Sequence, residues 1–311
     1  MKATIVAAVL GILLSASAVR AQGTKLDGEE TQRWKVGLTV TAPAGPVRGI
    51  RGTVPVPTDW PEQSVRIVDE HISKQVQRVT YRTLDNGVKQ MLVLIPTLRA
   101  GESAVALVTF EVTKRTILLP SDPQQFVFPK KISRDLRRYL TSSPYIETRH
   151  KQIRSQAREL AADQSGAWET VESIYDWVRD NIEYRNGSLK GALAALRDGN
   201  GDCEELTSLF IALCRVNKIP ARTVWIPGHC YPEFYLEDAT GEGHWFPCQA
   251  AGAREFGGMQ EFKPILQKGD NFRVPEKREP QRYVAEFLIA KSASGKPKVQ
   301  FTRELLPDVD R

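Results

Sequence analysis

The run Gly201-Asp202-Cys203-Glu204-Glu205 places a thiol where a helix is expected to begin. Gly201 permits a tight turn, and Asp202 can cap the helix with its carboxylate. Leu206, Leu209, Phe210, Leu213 and Cys214 then recur at i, i+3, i+4, i+7 and i+8, the spacing of one buried helical stripe. Asn217 and Lys218 end the pattern and Pro220 prevents its return. A cysteine at a helix N-terminus meets backbone N–H groups that have no intrahelical acceptor, which favours the nucleophilic thiolate. Glu204 and Glu205 in the same turn oppose ionisation, so a cationic histidine partner is needed to settle it. Cys203 is therefore the candidate nucleophile. Cys214, three helical turns on and among apolar neighbours, reads as a core residue.

A thiol nucleophile needs a base, and the base needs an orienting group. Of the four histidines, His71 lies in a β-patterned stretch and His150 on a charged helix, which leaves His229 and His244. Both fall in a strand–turn–strand pattern downstream of Cys203. A regular hairpin centred near Ala239 sets His229 opposite Gln249 and Cys230 opposite Cys248. Side chains alternate faces along a strand, so His229 and Gln249 share one face, the two cysteines share the other, and His244 points away from Gln249. This selects Cys203 as nucleophile, His229 as base and the Gln249 amide oxygen as orienter. The same register brings Cys230 and Cys248 within disulfide reach, with two reduced packed thiols as the alternative. A zinc site from Cys203, His229, Cys230 and Cys248 is disfavoured because alternation divides those groups between two faces. No C-x-x-C pair and no calcium-loop motif occurs, so no metal or other cofactor is expected and activity should need no added metal.

The surrounding pattern supplies elements to hold these groups. Residues 1–21 read as a signal peptide: Lys2, an apolar stretch from Ala3, then Val19-Arg20-Ala21 as the cleavage site. The chain is thus expected to be exported, periplasmic or extracellular. Residues 22–32 read as a flexible lead. Residues 33–117 alternate apolar and polar, with a hairpin signal at Asp85-Asn86-Gly87, and read as an antiparallel β-sandwich. Residues 118–131 read as a linker, and residues 132–311 as a second domain of helices around Cys203 followed by strands. Short helices are expected over Ile132–Leu140 and Gly191–Arg197, with longer ones over Ile146–Ala162 and Trp168–Ile182.

The full chain of 311 residues has a formal charge of +6. Removing residues 1–21 deletes Lys2 and Arg20 and no acid, which lowers it by two to +4. The basic residues form no stripe interleaved with aromatics, so nucleic acid is not an expected partner. No apolar run after residue 21 approaches membrane-spanning length.

The run Gly201-Asp202-Cys203 with Leu209-Phe210-Ile211-Ala212-Leu213-Cys214-Arg215 and Ile219-Pro220-Ala221-Arg222 resembles the nucleophile helix of transglutaminase-like proteins, which have a papain-like core. His229-Cys230-Tyr231-Pro232-Glu233-Phe234-Tyr235 resembles that family's histidine strand, usually written H-A-W-x-E-x-Y. Trp245-Phe246-Pro247-Cys248-Gln249 resembles the strand that ends in its third catalytic residue. The likeness spans roughly residues 130–275. It departs at Gln249, where the family has aspartate, at Lys218, where it has glycine, and at Cys230-Tyr231, where it has Ala-Trp. The resemblance implies an α+β fold, with the cysteine helix packed on an antiparallel sheet. It also implies acyl transfer on protein or peptide amides through a Cys203 thioester, with the Cys203 N–H as one oxyanion donor. Tyr184 is a candidate contributor to the oxyanion site, and Glu233 matches a family position. A member that keeps the fold as a binding or assembly protein without turnover is the competing expectation, and Gln249 favours it.

Overall fold

The computed structural model describes residues 24–307. The expected signal peptide lies outside the described residues. Residues 25–118 form six strands: β1 (Lys25–Thr41), β2 (Val47–Val56), β3 (Gln63–Ile72), β4 (Arg78–Thr83), β5 (Lys89–Leu98) and β6 (Ser103–Leu118). The β4–β5 turn uses left-handed backbone at Asn86 and Gly87, each with φ 79°, as the Asn-Gly signal predicts. The strand β1 begins at Lys25, so the expected flexible lead is instead paired with β6, from Lys25↔Leu118 onward. Two antiparallel sheets result, in the orders β15-β1-β6-β3 and β13-β2-β5-β4. Here β13 is Phe287–Ile289 and β15 is Lys298–Leu305, and β14 (Ser292–Ala293) also pairs with β2. Val36, Leu38 and Val40 of β1 and Val108 and Phe110 of β6 pack against Ile50, Val54, Met91 and Val93 of the other sheet.

The tail corrects the expected boundary. Residues 287–305 do not extend the second domain but return to the first, where β15 pairs with β1 from Thr41↔Lys298 to Trp34↔Leu305. The sequence pattern does place two strands in this tail, over Tyr283–Ala290 and Lys298–Thr302. Their partners lie more than 230 residues away, beyond what local alternation can encode.

Between these segments lie α1 (Arg134–Arg137), α2 (Lys151–Ala161), α3 (Ala167–Asn181), α4 (Ala192–Asp198) and α5 (Cys203–Val216). A two-residue parallel ladder joins β7 (Glu183–Tyr184) to β8 (Asn200–Gly201). A second antiparallel sheet system has the order β11-β10-β9-β12, with β9 Ala221–Ile226, β10 His229–Glu237, β11 Gly243–Pro247 and β12 Gln267–Lys268. The helix α5 packs on β9 and β10, and α2, α3 and α4 cover its other sides. Burial is consequently continuous from Glu205 to Arg215 rather than confined to the expected stripe. The presumed linker is not free either: Phe126 is buried against Trp168 and Phe246, and Val127 forms a bridge with Glu237.

The far face of this sheet rests on the sandwich. Val224, Ile226 and Tyr231 cluster with Ile117, and with Leu26 and Trp60. Charges reinforce the junction. Lys268 Nζ reaches Glu62 and Glu233, each at 2.6 Å, and Arg222 meets Glu233 at 2.8 Å. Glu233 is therefore a buried structural anion.

Candidate active site

The sequence starts α5 by a reciprocal cap. Asp202 Oδ1 accepts from Glu204 N–H at 2.7 Å, and Glu205 Oε2 accepts from Asp202 N–H at 3.1 Å. Glu205 Oε1 also accepts from Lys190 N–H at 2.9 Å, which ties the preceding turn to the helix. A Cβ at Gly201 would stand 2.4 Å from Glu205 Cβ, so glycine is required for this approach. Burial and the neighbouring Glu205 carboxylate push Asp202 up to about 6. Burial pushes Glu205 the same way, but the N–H groups of Lys190, Asp202 and Gly191 outweigh it and hold its carboxyl below the usual value.

Cys203 is the first residue of α5, partly buried at one end of a cleft of about 380 Å³. The two acids that threatened its ionisation are both occupied: Glu205 by backbone N–H groups, and Glu204 by an ion pair with Arg282. Cys230 and, after it, His229 bring the Cys203 pKa down to about 4 against the opposing effect of burial. Cys203 in turn raises His229, again against burial, with Gln249 assisting.

His229 Nε2 and Gln249 Oε1 are 3.0 Å apart. With the amide oxygen accepting, Nε2 carries the hydrogen and Nδ1 is left to exchange a proton with Cys203. Gln249 follows β11 in a loop that α3 holds. Arg179 donates to the Gln249 carbonyl at 2.9 Å and to the Gly252 carbonyl at 2.8 Å, and Gln249 N–H donates to the Glu255 carbonyl at 2.8 Å. Arg179 had no signal in the sequence, because a cation near a helix end reads as solvated.

The structure thus brings Cys203, His229 and Gln249 together, although by a different hairpin register from the one expected. The β10–β11 ladder runs from Glu233↔Pro247 to Glu237↔Gly243 and is centred on Thr240, one residue later than Ala239. A one-residue shift of centre moves every partner by two, which preserves the face each side chain occupies. His229 and Gln249 therefore stay on one face, and the long amide closes the offset. The cysteine pairing does not survive. Cys248 N–H donates to the Pro232 carbonyl at 3.0 Å, so Cys248 stands opposite Pro232 and not Cys230. All four cysteines are free, and of the two alternatives left open for Cys230 and Cys248 the structure has two separate buried thiols, not a disulfide. Cys230 Sγ instead lies 3.8 Å from Thr207 Oγ1 on α5.

His244 points away from the cleft and meets Asp238 Oδ2 at 3.0 Å. With Glu242 these residues form a cluster of potential metal-ligating atoms within 4.8 Å of one another. Asp238 Oδ1 already accepts from Thr240 and Glu242 N–H groups at 2.9 and 3.0 Å, so closure of the hairpin turn accounts for the grouping.

Tyr184 and Asn186 form one wall of the cleft, and Arg282, Tyr283 and Arg303 belong to the other lining residues. Tyr283 packs edge-on against Trp225, with ring centroids 5.1 Å apart. These tail residues escaped the sequence reading because the return of the tail was itself not foreseen.

Residues 154–250 match the family model of the transglutaminase-like superfamily. A crystal structure from Cytophaga hutchinsonii, described as a "putative cysteine protease", is similar over 93% of this chain and 94% of its own, with a TM-score of 0.61 at 18% identity. That likeness shows a shared fold. A second structure, from Parabacteroides distasonis and described as a "putative protease", aligns with 71% of this chain and 43% of its own, with a TM-score of 0.31 at 12% identity. No curated protein matches the chain.

Proposed function

We propose, from the premise that residues 154–250 are a transglutaminase-like core, that this chain is an exported cysteine enzyme that transfers acyl groups from protein or peptide amides. The observation that carries this reading is the placing of Cys203 and His229 on one cleft, with the Gln249 amide oxygen 3.0 Å from the His229 ring, at the open end of a buried helix. A passive fold has no need of a thiol held far below its ordinary pKa beside a histidine raised above its own.

In this reading the Cys203 thiolate attacks the amide carbonyl carbon. The carbonyl oxygen becomes an oxyanion, which the Cys203 N–H is placed to receive because the first N–H of a helix has no intrahelical acceptor. As the intermediate collapses, the His229 imidazolium gives its proton to the leaving nitrogen and the C–N bond breaks. A Cys203 thioester remains. Water or an amine then attacks it, His229 takes the proton, and the thiolate departs. Gln249 holds the imidazole in the productive orientation, although an amide stabilises imidazolium less than a carboxylate would. The signal-like segment 1–21 supports export.

The test is turnover of peptide and glutamine amides, read as new amino termini or released ammonia, together with acid-quenched mass spectrometry of the acyl adduct. Wild type should show an adduct on Cys203 and Cys203→Ala should show neither adduct nor turnover. Turnover that persists in Cys203→Ala would remove the reading.

A further inference from the structure

We propose that Cys230 is a second side-chain donor to the nucleophile beside His229, its thiol proton pointing at the Cys203 sulfur while the Thr207 hydroxyl donates to its own sulfur. The inference rests on the cysteine-enzyme reading above and deepens it at the same site. Cys203 and Thr207 are four residues apart on α5 and share one helix face. Cys230, the second residue of β10, packs across that face: its sulfur lies 3.8 Å from Thr207 Oγ1, and it lines the cleft beside Cys203. Its side chain and its backbone N–H both act on Cys203 to lower its pKa. His229, the first residue of β10, and Cys230, on the face of β10 that packs on α5, both act on that thiol.

A thiol has one proton, and two acceptors compete for it. When Cys203 is ionised, its charged sulfur is the stronger acceptor. The Thr207 hydroxyl can rotate to donate to the Cys230 sulfur in turn, so the three groups form a chain ending on the thiolate. This requires Cys230 to remain protonated across the working range. It is 1% exposed, and burial pushes its pKa well above the usual thiol value. The same burial that would silence a nucleophile makes it a lasting donor. Cys203, by contrast, sits at the helix terminus with an imidazolium partner, so the two thiols divide into one that ionises and one that does not. The resembled family pattern has alanine where this chain has Cys230, and aspartate where this chain has Gln249. A thiol donor here offsets the weaker charge stabilisation that an amide orienter provides.

The test is the pH profile of Cys203 alkylation by iodoacetamide, mapped by peptide mass spectrometry, in wild type, Cys230→Ala, Cys230→Ser and Thr207→Val. Cys230→Ala should move the inflection up by about one unit, a roughly tenfold smaller thiolate fraction on the acid limb. Cys230→Ser, which keeps a hydroxyl donor, should recover most of that shift, and Thr207→Val should show a smaller shift in the same direction. A purely packing role for Cys230 would change thermal stability and leave the profile in place. A low wild-type inflection that is unchanged in Cys230→Ala would overturn this inference and leave the enzyme reading standing. An ordinary thiol inflection in wild type would remove both.

Discussion

The sandwich and the helix-and-sheet core around α5 differ in what they bury. Between the two sheets the interior is aliphatic and aromatic, built from residues such as Val36, Leu38, Ile95 and Phe110. Around α5 the interior also holds charge. Arg215 is fully buried and meets Asp270 at 2.6 Å, while donating to the Ala221 and Thr141 carbonyls at 2.8 Å each. Lys268, Glu233 and Arg222 form a second buried set. The charges buried in the first region, Glu62 and Lys114, reach toward the core: Glu62 to Lys268, and Lys114 Nζ to the Lys263 carbonyl at 3.0 Å. The lesson is one of geometry. Apolar packing is non-directional and suffices for a supporting scaffold. A nucleophile, its base and its orienter come from α5, β10 and a loop after β11, and directional charge-assisted bonds fix those three relative to one another.

The comparison can be broken at several points. The largest effect is expected at Cys203 itself. Cys203→Ala should lower kcat/KM by about 10⁴-fold or more, with little change in the urea midpoint. A comparable loss from a sandwich substitution that leaves the fold intact would contradict the division of labour. Next is the buried pair. Asp270→Ala leaves the Arg215 guanidinium uncompensated and should destabilise the protein by about 3–5 kcal/mol, measured by urea unfolding. A cost near that of an exposed pair would show that the interior charge is solvated. Gln249→Ala should lower kcat/KM on the order of 10–100-fold, short of the roughly 10⁴-fold reported by removing a carboxylate orienter from a triad. Most of that loss should fall in kcat, since Gln249 acts through His229 rather than on substrate. The smallest effect belongs to the sandwich: Ile95→Val should cost about 0.5–1.5 kcal/mol with activity unchanged at a temperature where the variant is folded.

The two regions also differed in how far they could be read from sequence. Alternation marks a half-buried strand within a window of a few residues, and Asn86-Gly87 marks a turn, so the sandwich strands and their hairpin were legible. The helix bearing Cys203 was legible from its cap and its apolar spacing. His229 and Gln249 could be set on one face because face depends only on parity, and parity survived an error of one residue in the hairpin centre. The cysteine pairing depended on register as well as parity, and it failed. Buried charge was illegible for a different reason. Arg215 and Asp270 lie 55 residues apart, and Lys268 and Glu62 lie 206 apart. In a local window each reads as a solvated group, and only the tertiary partner makes burial tolerable. The tail strands were visible as strands, but their pairing with β1 and β2 was not.

The central claim is that Cys203 and His229 exist as a thiolate–imidazolium pair. Cys203 is lowered to about 4, so thiolate should be present above that pH, and His229 is raised, so imidazolium should persist above its ordinary range. Between those limits the pair is charged. Below the lower limit the nucleophile is protonated, and above the upper one the general acid is lost, so kcat/KM should be bell-shaped. The most direct measurement is the rate of Cys203 alkylation from about pH 3 to 9, in wild type and His229→Ala. The account predicts a wild-type inflection near 4 that moves toward the ordinary thiol range when His229 is removed. A single inflection at about 8.5, the same in both proteins, would contradict it.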